Sequence, residues 1–328
     1  MKILVTGAAG YIGGTFCYEA LKRGFSVLGI DNFSNSSCET IEKIKKKFSK
    51  NFYFIEKNLL DDDLHKINNI QEVDVVFHFA ALKSVPDSEN SPKKYFENNV
   101  DGTKNLLNLM KYASIDKLVF SSSAAVYGDQ DNQPINEQAK LKPKSVYANT
   151  KKITEEILED AAHKNSFKVI SLRYFNPIGS HKDKVISERI NNSSGNIMSM
   201  ILRAAIGLEK KINVFGQDYS TKDGTAERDY IHINDIIEGH FLAYKKIDKF
   251  NCYENFNLGT GSSVSVIELL NTFNKVNNKE IDYKISPRRE GDLTICYADA
   301  SKANKMLGWR AEYSLEKMCK DAWEAVKK

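Results

Sequence analysis

The stretch Ile3-Leu4-Val5-Thr6-Gly7-Ala8-Ala9-Gly10-Tyr11-Ile12-Gly13 restricts the possible folds of this chain more than any other. Its apolar run stops at Thr6-Gly7 and reads as a buried parallel strand, and the amphipathic segment 11–23 reads as a helix. Three glycines occupy the turn. Gly7 permits the sharp bend, Gly10 lets the backbone approach a phosphate with no Cβ in the way, and Gly13 lets helix and strand pack closely. The helix N-terminus then aims free N–H groups at an anion. The next strand, Val27-Leu28-Gly29-Ile30, ends in Asp31. That lies near the offset of about 20 residues at which a carboxylate hydrogen-bonds a ribose 2′-OH. An acid there favours NAD over NADP, because a 2′-phosphate would face like charge. Strand, glycine turn, helix and acid in this order specify a dinucleotide site.

The pattern then repeats. Strands are expected at 52–55, 73–80, 117–121 and 168–173, and helices at 40–48, 61–69 (short), 93–110 and 147–164. Alternation of this kind calls for right-handed crossovers and a doubly wound, Rossmann-like parallel α/β sheet, with ligands at the carboxyl ends of its strands. The turns after Phe79, Phe120 and Arg173 are where chemistry belongs. Beyond Asn176 the pattern changes. Residues 179–195 are polar, carry Asn191-Asn192-Ser193-Ser194-Gly195 and read as a loop. The last third mixes strands at 212–215 and 256–258 with helices at 196–207, 266–276, 301–307 and 315–326. The expected division is a dinucleotide domain over 1–175 and a smaller mixed α/β substrate domain over 176–328, with segments near 228–250 returning to the first.

Composition narrows the function further. With 41% hydrophobic and 27% charged residues the chain is an ordinary globular one, and a net charge of +4 gives no reason to propose nucleic acid. The basic run 43–50 reads as a solvated helix face. Five cysteines, Cys17, Cys38, Cys252, Cys296 and Cys319, are widely spaced and form no C-x-x-C pair, which points to a reducing cytoplasm. No apolar run approaches the ~20 residues of a membrane span, the first strand begins at residue 2, and no leader is expected. Six histidines show no metal-ligand spacing, so no metal is expected.

Ser121-Ser122-Ser123 ends the strand at 117–121, and Tyr147-Ala148-Asn149-Thr150-Lys151 opens the next long helix. Residues four apart share a helical face, so Tyr147 and Lys151 are neighbours, and an ammonium beside a phenol lowers its pKa from about 10. Tyr147 can then act as general base. The same spacing at Tyr18 and Lys22 faces no strand end and reads as structural. Ser123, Tyr147 and Lys151 are the catalytic candidates.

These features, with His78-Phe79-Ala80-Ala81-Leu82-Lys83, Ser121 to Asp129, Arg173-Tyr174-Phe175-Asn176-Pro177, Asp223-Gly224-Thr225, Arg228-Asp229-Tyr230-Ile231-His232 and Arg288-Arg289-Glu290-Gly291-Asp292, carry a resemblance that runs essentially end to end. The chain resembles the extended short-chain dehydrogenase/reductases, and among them the UDP-hexose 4-epimerases. The resemblance implies NAD contacts at Gly7, Gly10, Tyr11, Ile12, Gly13, Asp31, Asn32, Asn35, Asn58, Leu59, Phe79, Ala80, Lys83, Asn98, Tyr147, Lys151 and Tyr174. It implies UDP-sugar contacts at Lys83, Ser123, Tyr147, Phe175, Asn176, Asn196, Phe215, Arg228, Arg289, Asp292 and Cys296. Chemistry agrees independently for three: Arg228 and Arg289 carry forked donors suited to a diphosphate, and Asp292 can accept from ribose hydroxyls. The structural alternative pairs these arginines with Asp229 or Glu290. In the implied mechanism Tyr147, directly or through Ser123, takes the O4 proton while NAD accepts and returns the C4 hydride. A homodimer built on helices 93–110 and 147–164 is implied as well.

The departures are few. Ala148-Asn149-Thr150 replaces a Gly-Lys-Ser type linker, Asn58 stands for an acid that meets the adenine amino group, and loop 182–194 lacks the family's Gly and Pro. Cys296 replaces a bulky tyrosine of the strict hexose enzymes, which leaves room for an acetamido group at C2. A 4,6-dehydratase would carry Asp-Glu where this chain has Ala124-Ala125, and a non-catalytic NAD-sensing regulator would lose Tyr147 or Lys151.

Overall fold

The computed structural model of the protein describes residues 1–188, 190, 196–289 and 291–327. The expected loop residues 191–195, and Glu290 of the arginine motif, lie outside the described residues. In chain order the first half forms β1 (Lys2–Thr6), α1 (Tyr11–Lys22), β2 (Ser26–Asp31), α2 (Cys38–Lys47), β3 (Phe52–Glu56), β4 (Val75–His78), α3 (Val85–Asn90), α4 (Pro92–Phe96), α5 (Gly102–Ala113), β5 (Lys117–Ser123), α6 (Val146–Asn165) and β6 (Lys168–Tyr174). There follow β7 (Asn176–Ile178), α7 (Ile197–Ala205), β8 (Ile212–Phe215), β9 (Glu227–Arg228), β10 (Tyr230–His232), α8 (Ile233–Lys246), β11 (Tyr253–Leu258), β12 (Val264–Ser265), α9 (Val266–Asn277), β13 (Tyr283–Ser286), β14 (Ile295–Cys296), α10 (Ser301–Leu307) and α11 (Leu315–Glu324).

Among the described residues a seven-stranded sheet runs β11-β6-β5-β4-β1-β2-β3. The pairs β3–β2, β2–β1, β1–β4 and β4–β5 are parallel. The strand order reverses between β1 and β4, where crossovers diverge and a crevice opens beyond the carboxyl ends. Thr6 is in register with Ile30 and with His78, so β1, β2 and β4 end side by side at that point. Every residue of β4 is buried, as the continuous apolar run of an internal parallel strand requires. Leu4, Leu28, Val76, Leu118 and Val169 from the strands form one core with Leu106 and Met110 of α5 and Leu158 and Ala162 of α6.

The helix expected over 93–110 is not continuous. Pro92 opens α4 because it lacks an N–H to continue α3, and a π turn at Glu97–Asp101 separates α4 from α5. The helix expected over 61–69 reduces to one 3-10 turn, Leu64–Lys66, and a second follows it at Ile70–Glu72. Between them Asn69 takes a left-handed conformation at φ 60°.

The chain packs as two units, one of residues 1–126, 145–173 and 240–255, the other of 127–144, 174–239 and 256 onward. This differs from a single cut at 175, and the return to the first unit is 240–255 rather than 228–250. Backbone pairing explains the first difference. Within the second unit Ile135 N donates to Tyr297 O at 2.9 Å and Asp299 N to Ile135 O at 2.8 Å, which ties 127–144 to the segment after β14. Aromatic packing explains the second, since in the first unit Phe241 stacks on Phe16 of α1 with centroids 4.7 Å apart. The second unit has its own core of Ile178, Met198, Ile201, Ile212, Tyr230, Leu269, Phe273 and Met318.

Candidate active site

The glycine turn of the first unit has the shape its sequence predicts. Gly7 sits at φ +71°, and a Cβ there would lie 2.7 Å from Ala80 N. A Cβ on Gly13 would lie 2.2 Å from Gly7 O, so only glycine lets α1 seat against the turn. At Gly10 the surroundings are open, with Gly7 O at 3.3 Å the one atom within reach of a Cβ. Gly10 is also the N-cap of α1 and supplies no side chain to its first-turn N–H groups. This is a cradle that fits a phosphate at a helix N-terminus.

Asp31 is buried at the end of β2. Its Oδ2 accepts Ala9 N at 3.0 Å, and its Oδ1 accepts Phe33 N at 2.9 Å and Ser36 Oγ at 2.7 Å. A carboxylate offers about four acceptor positions, so one is left for a ribose hydroxyl. Around it Asn32 Oδ1 accepts Ser34 N, Asn35 Nδ2 donates to Ala81 O and Asn58 Oδ1 accepts Leu60 N. Leu59 is buried in the core, and its carbonyl accepts Asn105 Nδ2. After β4, Phe79 packs against Phe16 and His240, and Ala80 N donates to Thr6 Oγ1. Lys83 is exposed two residues beyond Ala81. Asn98 lies on the π turn and donates to Asn99 Oδ1 at 2.9 Å. Tyr11 and Ile12 open α1, whereas Tyr174 belongs to the second unit.

Three residues four apart on α6 meet the three serines that end β5. Tyr147 hydrogen-bonds Ser123, Lys151 Nζ donates to Ser121 O at 2.7 Å, and Glu155 Oε1 accepts Ser122 Oγ at 2.5 Å. The face of one helix thus reads a strand end residue by residue. Ser145 caps the helix by accepting Ala148 N, and Ser88 Oγ accepts Tyr147 N. The structure corrects the expected electrostatics. Burial pushes the Tyr147 phenol up to about 12, the Ser123 hydroxyl holding it down and Tyr95 adding to the rise. Burial likewise pulls Lys151 down to about 7, against the attraction of Glu155. Lys151 is turned to a carbonyl and to the Phe120 ring, 4.7 Å away, and does not by itself acidify the phenol.

Glu155 escaped the sequence reading, and Arg173 entered it only as part of a motif, with no role assigned. Arg173 Nε donates to Glu155 Oε1 at 2.9 Å and Nη2 to Oε2 at 2.5 Å, a buried bidentate pair beneath Lys151 and Ser122. The third step of a Tyr-Lys-Glu spacing on one helix face was the available signal. Asn99 is another residue to which the sequence reading gave no role. It exchanges bonds with Leu82 N and O and donates to Thr150 Oγ1 at 3.0 Å, joining the segment of Lys83 to the helix of Tyr147.

In the second unit Arg228, Arg289, Asp292 and Phe215 come together. Arg289 Nε donates to Asp292 Oδ2 at 3.0 Å with its guanidinium 4.6 Å from the Phe215 ring centre, and Arg228 Nη2 lies 3.7 Å from Asp292 Oδ1. Arg228 Nη1 donates to Glu227 O and Leu293 O, while Asp229 bonds to other groups. Two buried hydroxyls beside this cluster, Tyr219 Oη and Tyr230 Oη, have no hydrogen-bond partner among the described residues. Burial raises both, and charge from Arg228, Arg289 and Asp292 reaches both. Hydroxyls buried without a partner beside paired arginines leave polar groups available to a ligand. Cys296 is buried opposite Arg228 in the β14–β9 register, and Asn176 stands opposite Tyr230 on β7. Phe175 is buried and donates its N–H to Leu258 O. Asn196 is the N-cap of α7, accepting Met198 N and donating to Glu188 Oε2.

A dinucleotide turn at the switch point of a parallel sheet, with a Ser-Tyr-Lys set where helix α6 meets strand β5 of that sheet, defines an NAD-dependent enzyme of the short-chain dehydrogenase/reductase type. The chain belongs to the NAD dependent epimerase/dehydratase family, whose sequence pattern matches residues 3–259. It is 43% identical to the UDP-glucose 4-epimerase of Bacillus subtilis over 98% of this chain and 96% of that protein. The UDP-glucose-4-epimerase of Stenotrophomonas maltophila, solved with bound NAD and formylated UDP-arabinopyranose, superposes with a TM-score of 0.95 at 39% identity, covering 99% of this chain and 97% of that one. The Bifidobacterium longum UDP-glucose 4-epimerase in complex with NAD+ and UDP gives a TM-score of 0.92 at 36% identity, covering 99% and 98%.

Proposed function

We propose that this chain is a UDP-glucose 4-epimerase that interconverts UDP-galactose and UDP-glucose at C4 with NAD retained. The observation that carries the reading is the engagement of the β5 serines by Tyr147 and Lys151, on the sheet whose switch point holds the glycine turn. NAD, when bound, supplies the acceptor and return donor for the C4 hydrogen and a positive ring charge beside the phenol. The chain supplies proton handling and position. Tyr147 Oη takes the proton from the O4 hydroxyl, directly or through Ser123 Oγ, and later returns it. Lys151, fixed by Ser121 O, would hold the nicotinamide ribose and, together with the positive nicotinamide ring, keep Tyr147 acidic in the loaded site. The remaining cofactor contacts are those of the glycine turn, Asp31, Asn32, Asn35, Asn58, Leu59, Phe79, Ala80, Lys83, Asn98 and Tyr174.

The second unit takes the UDP-sugar. Arg228 and Arg289 exchange Asp292 for the diphosphate, leaving Asp292 to the ribose, and Phe215, Asn196, Asn176, Phe175 and Lys83 complete the contacts. A ligand held at its diphosphate lets the 4-keto sugar turn and present its other face. The small, buried Cys296 gives space for an acetamido group, so UDP-N-acetylgalactosamine and UDP-N-acetylglucosamine are substrates too. Ala124-Ala125 in place of an acid pair disfavours dehydration. The free cysteines fit a reducing cytoplasm, and the proposed assembly is a homodimer joined through segments 93–110 and 147–164. No described helix is long and apolar enough to cross a membrane.

Incubation with UDP-galactose or UDP-N-acetylgalactosamine and no added NAD, with products resolved by chromatography, tests the reading. UDP-glucose from the first and UDP-N-acetylglucosamine from the second are expected. Cys296→Tyr is expected to abolish the second conversion and keep the first. Conversion of neither, even with NAD supplied, would sink the reading.

A further inference from the structure

Asp229 is fully buried at the corner between β9 and β10, in the second unit. Its carboxylate receives four protein donors: Thr260 N at 2.8 Å and Thr260 Oγ1 at 2.6 Å on Oδ1, and Gly261 N at 3.0 Å and Ala298 N at 3.1 Å on Oδ2. Its backbone is engaged as well. Asp229 N donates to Cys296 O at 3.0 Å, and Asp229 O accepts Asn176 N at 2.9 Å. One residue therefore joins β7, the β9–β10 corner, the 259–261 turn, β14 and the segment just after it at Ala298. The packing around the carboxylate is close, since a Cβ on Gly259 would lie 2.5 Å from Asp229 Oδ2. Three of the residues it joins, Arg228 before it in sequence and Asn176 and Cys296 across its backbone bonds, are those read above as sugar-nucleotide contacts. Gln133 braces Cys296 from the other side, donating to Ile295 O at 3.2 Å and accepting Tyr297 N at 3.1 Å.

A buried carboxylate that satisfies four donors costs much to disturb and specifies one arrangement of the segments around it. We infer that Asp229 is a positioning residue for UDP-sugar binding, which fixes the backbone bearing Arg228, Asn176 and Cys296 without touching the ligand. The inference rests on the reading that those three residues meet the nucleotide sugar.

The test uses the NAD-loaded protein and two readouts, UDP affinity by calorimetry and the KM and kcat for UDP-galactose. Asp229→Asn keeps the shape but turns an amide donor toward donors that the carboxylate accepts. It is expected to weaken UDP binding and raise KM by about tenfold or more, with kcat within about threefold and NAD content unchanged. Thr260→Val, which removes one donor and leaves the carboxylate in place, is expected to move the same two quantities severalfold and decides the question if Asp229→Asn does not fold. UDP affinity and KM within twofold of wild type in the folded variants would overturn the positioning role. So would a loss of NAD together with a fall in kcat, which marks a purely structural residue. Wild-type protein that binds UDP but fails to convert UDP-galactose would remove the epimerase reading and leave the affinity comparison standing, while wild-type protein that binds no UDP removes both.

Discussion

Burying a phenol and an ammonium on adjacent turns of α6 penalises the charged form of each, and Tyr147 and Lys151 accordingly move toward their neutral forms. Catalysis needs the opposite for Tyr147, so the ionised phenol belongs to the complete, loaded site. Tyr147→Phe is expected to lower kcat by about a thousandfold while NAD content and UDP affinity hold; turnover within tenfold of wild type would place the base elsewhere. Lys151 makes a prediction in stability. Unfolded, it keeps its proton to about pH 10.4. Folded, it loses that proton near 7. Between these limits the unfolded chain binds more protons, so stability rises with pH from 7 toward 10. In NAD-free protein the denaturation midpoint should climb across that interval more steeply for wild type than for Lys151→Met. Identical slopes would mean that Lys151 stays charged when folded. Tyr147 and Lys151 could be recognised in the sequence because helical spacing is local. Their charge states could not, because these depend on what β5 and Phe120 bring alongside.

At the scale of elements, the β5–α6 pair and the β1–α1 pair do complementary work. In the first, Tyr147, Lys151 and Glu155 meet Ser123, Ser121 and Ser122. In the second, Gly13 rests its Cα against the carbonyl of Gly7. Gly13→Ala forces that contact open against rigid backbone. It is expected to cost about 1–3 kcal/mol and to release NAD, read as a lower denaturant midpoint and a lost cofactor absorbance; an unshifted midpoint with full NAD content would contradict the close packing. The strands and most helices of the first unit were legible because short continuous apolar runs and the 3.6 helical period lie in the sequence itself. The π turn at Glu97–Asp101 was not, since a single extra residue in a helix leaves the apolar pattern nearly intact. Nor was the transfer of residues 127–144 to the second unit, which rests on bonds between Ile135 and residues more than 150 positions away. The substrate cluster stood between these cases. Its arginines were visible as a motif, but the orphan hydroxyls of Tyr219 and Tyr230 emerge only once burial removes their water.

For the molecule as a whole, cofactor and fold are thermodynamically linked, because a ligand that binds only the native state adds its binding free energy to stability. Stripping NAD should lower the thermal midpoint by several degrees, and adding it back should restore the midpoint in a concentration-dependent way. NAD a thousandfold above its Kd is worth about 4 kcal/mol; a midpoint indifferent to NAD would contradict a native-state site. The bonding of Asp31 gives that linkage a particular form. The carboxylate proposed to select the cofactor also holds Ala9 in the glycine turn and Ser36 in the following loop. Replacing it to admit a phosphorylated ribose would therefore slacken the very turn on which the pyrophosphate rests. Any redesign toward NADP must supply a substitute brace for Ala9 and Ser36 before it supplies a new positive charge, so that recognition and scaffolding have to be rewritten together.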